Sequence, residues 1–188
     1  MDASSSLFAP LGTERLRLRC VRPDDAAQVS RLMTPAVSRW VASWPVPFTP
    51  EMAAERIAAA RDAAGMGKLL PLAIERRFDG VLLGWISVTR DVKDDRRGAL
   101  GYWLGEEHHG CGYMREAAAV VVAAGFSRLG LEVIEAGSQP GNVAAFAVLR
   151  GCGMAPTGGR TVFAPARGHD ELCLFYEAAR PCPGKRPS

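Results

Sequence analysis

A strand, a tight glycine loop and the start of an apolar helix follow one another without a break in Gly101-Tyr102-Trp103-Leu104-Gly105-Glu106-Glu107-His108-His109-Gly110-Cys111-Gly112-Tyr113-Met114-Arg115-Glu116-Ala117. Two glycines one residue apart let the backbone turn sharply and keep side chains away from a ligand. The amides of such a loop and the positive end of the helix behind it converge on one small volume, which suits an anion such as a phosphate or pyrophosphate. A dinucleotide fingerprint would need a third glycine where Arg115 stands, and a P-loop would need Gly-Lys-Ser/Thr, which is absent. A glycine pair before a helix is also an ordinary turn, so the loop needs its surroundings to acquire meaning.

At 188 residues, 48% hydrophobic and 23% charged, the chain suits one domain with a full core. The net charge of +3 is small, and Arg180, Lys185 and Arg186 of the tail supply part of it. No basic stripe interleaved with aromatics argues for nucleic acid. Residues 1–12 are Ser-rich and lack a cationic lead into an apolar run, so they do not read as a secretory signal, and no apolar run is long enough for a membrane span. Cys20, Cys111, Cys152, Cys173 and Cys182 are odd in number and form no Cys-x-x-Cys, so reduced thiols in the cytoplasm are expected. His108, His109 and His169 show no ligand spacing with them, and no metal site is expected.

The chain alternates from Thr13 to Val21 as a half-buried strand, with Leu16 and Leu18 inward and Arg15, Arg17 and Arg19 outward. Pro23-Asp24-Asp25 opens a helix to about Met33, and Thr49-Pro50-Glu51 opens another to about Ala64. Leu70–Glu75 and Val81–Thr89 read as a hairpin around Asp79-Gly80, and Ala99–Leu104 as the fourth strand. Ala117–Phe126 is apolar on almost every side, so its helix belongs inside the domain. A fifth strand (132–138), a short helix (142–149) and two more strands (154–163 and 171–177) complete an α+β chain with one large sheet covered by helices.

Over about residues 13–177 these pieces resemble the GCN5-related N-acetyltransferases (GNAT), in the branch of the Rim-type acetyltransferases of ribosomal-protein N-termini. The matching residues are Thr13-Glu14-Arg15-Leu16, Pro47-Phe48-Thr49-Pro50-Glu51, Leu83-Gly84-Trp85-Ile86, Gly101-Tyr102-Trp103-Leu104, Gly110-x-Gly112-Tyr113 with Glu116-Ala117, Asn142-x-x-Ala145 and Gly153-Met154, in family order. The resemblance implies a GNAT fold: a mixed, mostly antiparallel sheet of about seven strands flanked by helices, splayed between the fourth and fifth. It divides the chain into a flexible N-terminus (1–12), the acetyltransferase domain (13–179) and a flexible tail (180–188).

It also implies acetyl-CoA as cosubstrate, with no metal. The amides of Gly110, Cys111, Gly112, Tyr113 and Met114 would hold the pyrophosphate, with Arg115 or Arg150 in reach of the phosphates. The main chain of Trp103 and Leu104 would pair with the pantetheine arm, the Leu104 amide would face the thioester carbonyl, and Asn142 would bond the arm from the far side. The acceptor would be an amine-bearing peptide or small molecule, with no nucleic acid and no membrane, and a homodimer is left open.

Two departures touch the chemistry. The family's Asn-x-x-Ser serine is Ala145 here, and the acid that Rim-type relatives carry before Gly-Tyr-Trp is Ala99. The candidates for moving the amine proton are therefore Glu135, which could hold a water near the splay, and Glu107, with His108, His109, His169 and Asp170 behind them. An α-amine of pKa about 7.8 is roughly 14% neutral at pH 7, against roughly 0.04% for a lysine. A site without an evident base thus favours α-amines, attacked directly in a ternary complex. A covalent route through Cys111, a non-catalytic acetyl-CoA-binding module, and an acetyltransferase for a small amine, amino acid or antibiotic stay open as alternatives.

Overall fold

The computed structural model describes residues 9–181. Eight strands form one sheet in the order β1-β2-β3-β4-β5-β6-β8-β7. They are β1 (Leu11–Gly12), β2 (Leu16–Cys20), β3 (Leu69–Arg76), β4 (Leu82–Arg90), β5 (Arg97–Leu104), β6 (Val133–Ser138), β7 (Ala155–Ala164) and β8 (His169–Ala179). The helices are α1 (Ala26–Leu32), α2 (Pro35–Ser38), α3 (Pro50–Gly65), α4 (Tyr113–Arg128) and α5 (Val143–Gly151). Every strand pair is antiparallel except β5 and β6.

The strand beyond the expected seven is β1, which pairs with β2 through Leu11 and Gly12. These residues lie in the segment expected to be flexible, and the ladder orders them. At the other end β8 runs to Ala179, and the Arg180 amide donates to Glu132 O at 2.7 Å. The rest of the two expected flexible segments, 1–8 and 182–188, lies outside the described residues.

Alternation along the strands divides the core in two. Leu16, Leu72, Ile86 and Ile134 face α4 and α5, whereas Trp44, Ile57, Trp85 and Trp103 share a cluster with α1 and α3. Helix α4 is buried around Ala117, Ala118, Val121, Val122 and Phe126, as its all-round apolar sequence demands, and a narrow stripe through Arg115, Ala119, Ala123 and Ser127 is exposed. Arg19 departs from the outward placement expected of it. The α1 side covers it, so its guanidinium forks onto Asp25 at 2.8 and 2.7 Å and reaches Glu75 at 2.6 Å, which makes burial of the charge tolerable.

Gly84 explains one of the sequence's short motifs. A Cβ there would overlap Trp103 O and stand 2.8 Å from Leu104 Cα, both backbone atoms of β5. Because neither can swing aside, Gly84→Ala is expected to cost about 2–3 kcal/mol by forcing β4 and β5 apart. A shift in the urea midpoint at unchanged slope checks this.

Candidate active site

The splay arises where β6 leaves β5. Pairing covers Arg97, Gly98 and Ala99 against Val133, Ile134 and Glu135 and then stops, while β6 stays on β8 as far as Ser138. Leu100 to Leu104 therefore lack a neighbour on that side. Which groups face the gap follows from the antiparallel ladder with β4. The Gly105 amide donates to Leu83 O at 2.9 Å, so the residues that bond to β4 alternate back through Trp103, and the main-chain groups of Tyr102 and Leu104 face away from β4 into the gap. The Leu104 carbonyl is met there by His109 Nε2 at 2.9 Å, and since a carbonyl only accepts, that nitrogen carries the proton.

The glycine loop closes one end of the gap. Gly110 and Gly112 sit at φ 74° and 77°, the left-handed region that only glycine enters freely. Among the described residues, the amides of 110 to 115 donate to no protein acceptor, and Glu116 N is the first with a partner, Gly112 O at 3.2 Å. Six adjacent unengaged donors at a helix N-terminus are the arrangement that binding an anion requires.

A buttress behind the loop explains why the first-strand motif and Glu116 belong together. Glu116 accepts from Thr13 Oγ1 at 2.5 Å, Arg15 N at 2.9 Å and Arg15 Nε at 2.7 Å, and Arg15 Nη1 donates onward to Cys111 O at 3.0 Å. The Arg15 guanidinium also lies 4.7 Å from the centre of the Tyr113 ring. These bonds hold the Glu116 carboxyl below its usual range although burial pushes the other way.

A cavity of about 1210 Å³ runs from this loop along the splay to Trp40 and Trp44. That exceeds a typical single-ligand pocket and leaves room for a long cofactor arm and a second substrate. Trp103, Leu104, Gly110, Gly112, Tyr113, Met114, Arg115 and Asn142 all line it. Trp103 is also packed edge-on against Trp44 at 5.1 Å, so it serves wall and core together. Arg115 lies along Gly151, and Arg150 turns to the Tyr176 hydroxyl at 3.4 Å. Asn142 uses its side-chain oxygen to cap α5 at Ala145 N, 3.2 Å away.

Other expected residues stand elsewhere. Glu135 does not line the cavity. Its carboxylate bonds Arg160 at 2.5 Å and lies 3.9 Å from Arg97, which also pairs with Glu177. It sits at the apex of the splay, where ion pairs with arginines from β5 and β7 take up the carboxylate expected to serve the amine, a departure from the expected placement. Glu107 is exposed outside the cavity, 3.3 Å from the buried His108 ring, which burial makes harder to protonate. Cys111 keeps its amide at the loop but turns its thiol to His109 O at 3.5 Å, away from the cavity. His169 and Asp170 are exposed at the start of β8, and neither lines the cavity. Among the described residues no group of His, Cys, Asp or Glu is gathered as metal ligands.

Two cavity residues escaped the sequence reading. The Tyr102 hydroxyl crosses to Ala145 O at 3.1 Å, the position where a serine was looked for, and burial raises its pKa so that it keeps its proton. Glu55 on α3 is the only carboxylate lining the cavity among the described residues. Its signal was the spacing of Met52, Glu55, Arg56 and Ala59, which share one helix face.

An acetyltransferase (GNAT) domain model matches residues 15–155. The uncharacterized N-acetyltransferase p20 of Bacillus licheniformis is 28% identical over 141 residues, 74% of this chain and 78% of that protein. Among solved structures, Mycobacterium smegmatis RimJ in complex with CoA-disulfide superposes with a TM-score of 0.81 at 25% identity, covering 92% of this chain and 88% of that one. The ribosomal-protein-S5-alanine acetyltransferase of Vibrio fischeri has the same fold, with a TM-score of 0.76 at 21% identity over 91% and 96% of the two chains. The chain belongs to the GNAT family, the acetyl-CoA-dependent N-acetyltransferases.

Proposed function

We propose that this enzyme moves an acetyl group from acetyl-CoA to the α-amine of a peptide or protein, by direct attack within a ternary complex. The observation that carries the reading is the pairing of two sets of unengaged donors along one gap: the amides of 110–115 at one end and the N–H groups of Tyr102 and Leu104 at the other. Pyrophosphate on the first set directs the pantetheine arm beside β5, and the thioester carbonyl then meets the Leu104 amide. One such donor is worth ~3 kcal/mol when charge develops on the oxygen. Two similar structures support the reading, one in complex with CoA-disulfide and another named a ribosomal-protein-S5-alanine acetyltransferase. Cys20, Cys111, Cys152 and Cys173 are free thiols, in keeping with a cytoplasmic enzyme.

Acceptor choice follows from proton bookkeeping. With Glu135 locked in ion pairs, Glu107 outside the cavity and the His109 Nε2–H given to Leu104 O, none of the described carboxylates stands beside Leu104 to deprotonate a lysine. The difference of about 2.6 pKa units between lysine and an α-amine corresponds to roughly 3.5 kcal/mol that such a site would have to supply. Thiol release from acetyl-CoA is expected with N-terminal peptides and not with N-blocked lysine peptides or small amines. Equal turnover on lysine would overturn the α-amine reading, and acetyl-CoA binding without any release would make the protein a non-catalytic binding module.

Glu135 supplies a control. Glu135→Gln is expected to lower stability by about 1 kcal/mol through loss of its ion pairs while kcat stays within about twofold. A kcat loss of about a hundredfold with a displaced pH profile would return it to the chemistry.

A further inference from the structure

We infer that Glu55 selects the acceptor by reading a cationic side chain close behind the α-amine, so that preferred substrates carry lysine or arginine within the first few residues. The inference rests on the α-amine reading above. Beyond Trp103 the cavity continues between α3 and the segment around Trp40 and Trp44, and its walls there are apolar: Trp40, Val41, Trp44 and Met52. Into this half α3 presents Glu55 and Arg56 side by side, and the two have opposite fates. Arg56 is turned aside: Nη2 donates to Ser43 O at 2.6 Å, and the guanidinium carbon rests 4.3 Å from the Trp44 ring centre and 5.7 Å from that of Phe48. Glu55 is exposed and makes no hydrogen bond or ion pair among the described residues.

Glu171, the acid beside the facing turn, is already engaged. Glu171 is held by Arg167 at 2.5 and 2.8 Å and by Gln139 at 2.9 Å, which lowers its pKa to about 2. The same turn closes the far wall, since Ala166 N donates to Ala42 O at 2.9 Å and Arg167 reaches Ser38 O at 3.0 Å and Val41 O at 3.3 Å. A peptide whose amine sits at Leu104 must then leave along α3. An uncompensated carboxylate on an apolar rim focuses its field on whatever passes. Lysine or arginine there keeps its aliphatic stem on Met52 and the tryptophans and brings its charge to Glu55, whereas an acidic side chain is repelled.

The test uses one N-terminal heptapeptide with lysine, glutamine or glutamate at its third position, assayed with wild type, Glu55→Gln and Glu55→Lys, each checked for fold by circular dichroism. For wild type the KM of the lysine peptide is expected to fall about fivefold below that of the glutamine peptide, with the glutamate peptide as far above. Glu55→Gln erases the ranking and Glu55→Lys inverts it, in KM and not in kcat. Raising the salt from about 50 to 500 mM flattens the wild-type ranking. An unchanged ranking in all three proteins overturns the inference, as does a uniform kcat loss in Glu55→Gln with a displaced pH profile, which would assign Glu55 to proton transfer. Should wild type acetylate none of the peptides, the α-amine reading fails instead. Fluorescence anisotropy of the labelled peptides on the CoA-bound enzyme then decides Glu55 alone, and binding indifferent to charge refutes it.

Discussion

Gly112→Asp is expected to weaken acetyl-CoA binding at least about thirtyfold more than Gly112→Asn does. The two side chains have nearly the same shape, and both enter the left-handed region more readily than other residues, so the shared strain at φ 77° cancels between them. What remains is one negative charge set among the amides proposed to hold the diphosphate. At about 4 Å and an effective dielectric near 20 that repulsion is about 4 kcal/mol, and solvent at the exposed loop reduces it to about 2, or roughly thirtyfold. Isothermal titration at two salt concentrations reads the difference. Equal affinities for the two variants would mean that the pyrophosphate does not sit on these amides.

Leu104→Pro is expected to lower kcat about a hundredfold with a much smaller change in acetyl-CoA affinity. The substitution deletes one N–H, and the ladder argument places that N–H in the gap and not on β4, so the sheet keeps its bonds. Loss of a donor aimed at a developing oxyanion costs ~3 kcal/mol of transition-state stabilisation. Leu104 is also a buried core residue, 8% exposed, so a packing control is needed. Leu104→Ala keeps the amide, and it should lose about 2–3 kcal/mol of stability while its folded fraction turns over at close to the wild-type kcat. If alanine and proline depress kcat alike, the amide has no special part in the chemistry.

The backbone geometry of the glycine loop was legible in the sequence because it is built from local features. A glycine pair, a helix start and a preceding strand are contiguous, and their backbone geometry needs no distant partner to be read. The splay followed from the family resemblance, and the structure gives its physical form in a β5–β6 ladder that ends at Ala99 and Glu135. Of the cavity's other half, the aromatics Trp40, Trp44 and Phe48 could be picked out as pocket candidates and do line the cavity, but its polar groups were not legible. Glu55 lies on an alanine-rich helix where charged residues ordinarily face water, and its role depends on where Arg56 turns. Nothing local to Tyr102 announces that α5 brings Ala145 O to its hydroxyl. Glu135 misled for the same reason: nothing near it in the chain announces Arg97 and Arg160. Arg19 sat in a run of alternating charges, and only the packing of α1 shows it buried.

The buttress of Thr13, Arg15 and Glu116 joins positions a hundred residues apart. A nascent or partly unravelled chain cannot assemble it, so such a chain has no shaped cradle and only the native ensemble captures the cofactor. Ligand then weights the folding equilibrium by mass action, by about 2.7 kcal/mol at a hundred times its Kd. The lifetime of this protein against proteolysis should accordingly rise and fall with the metabolic supply of its acyl donor.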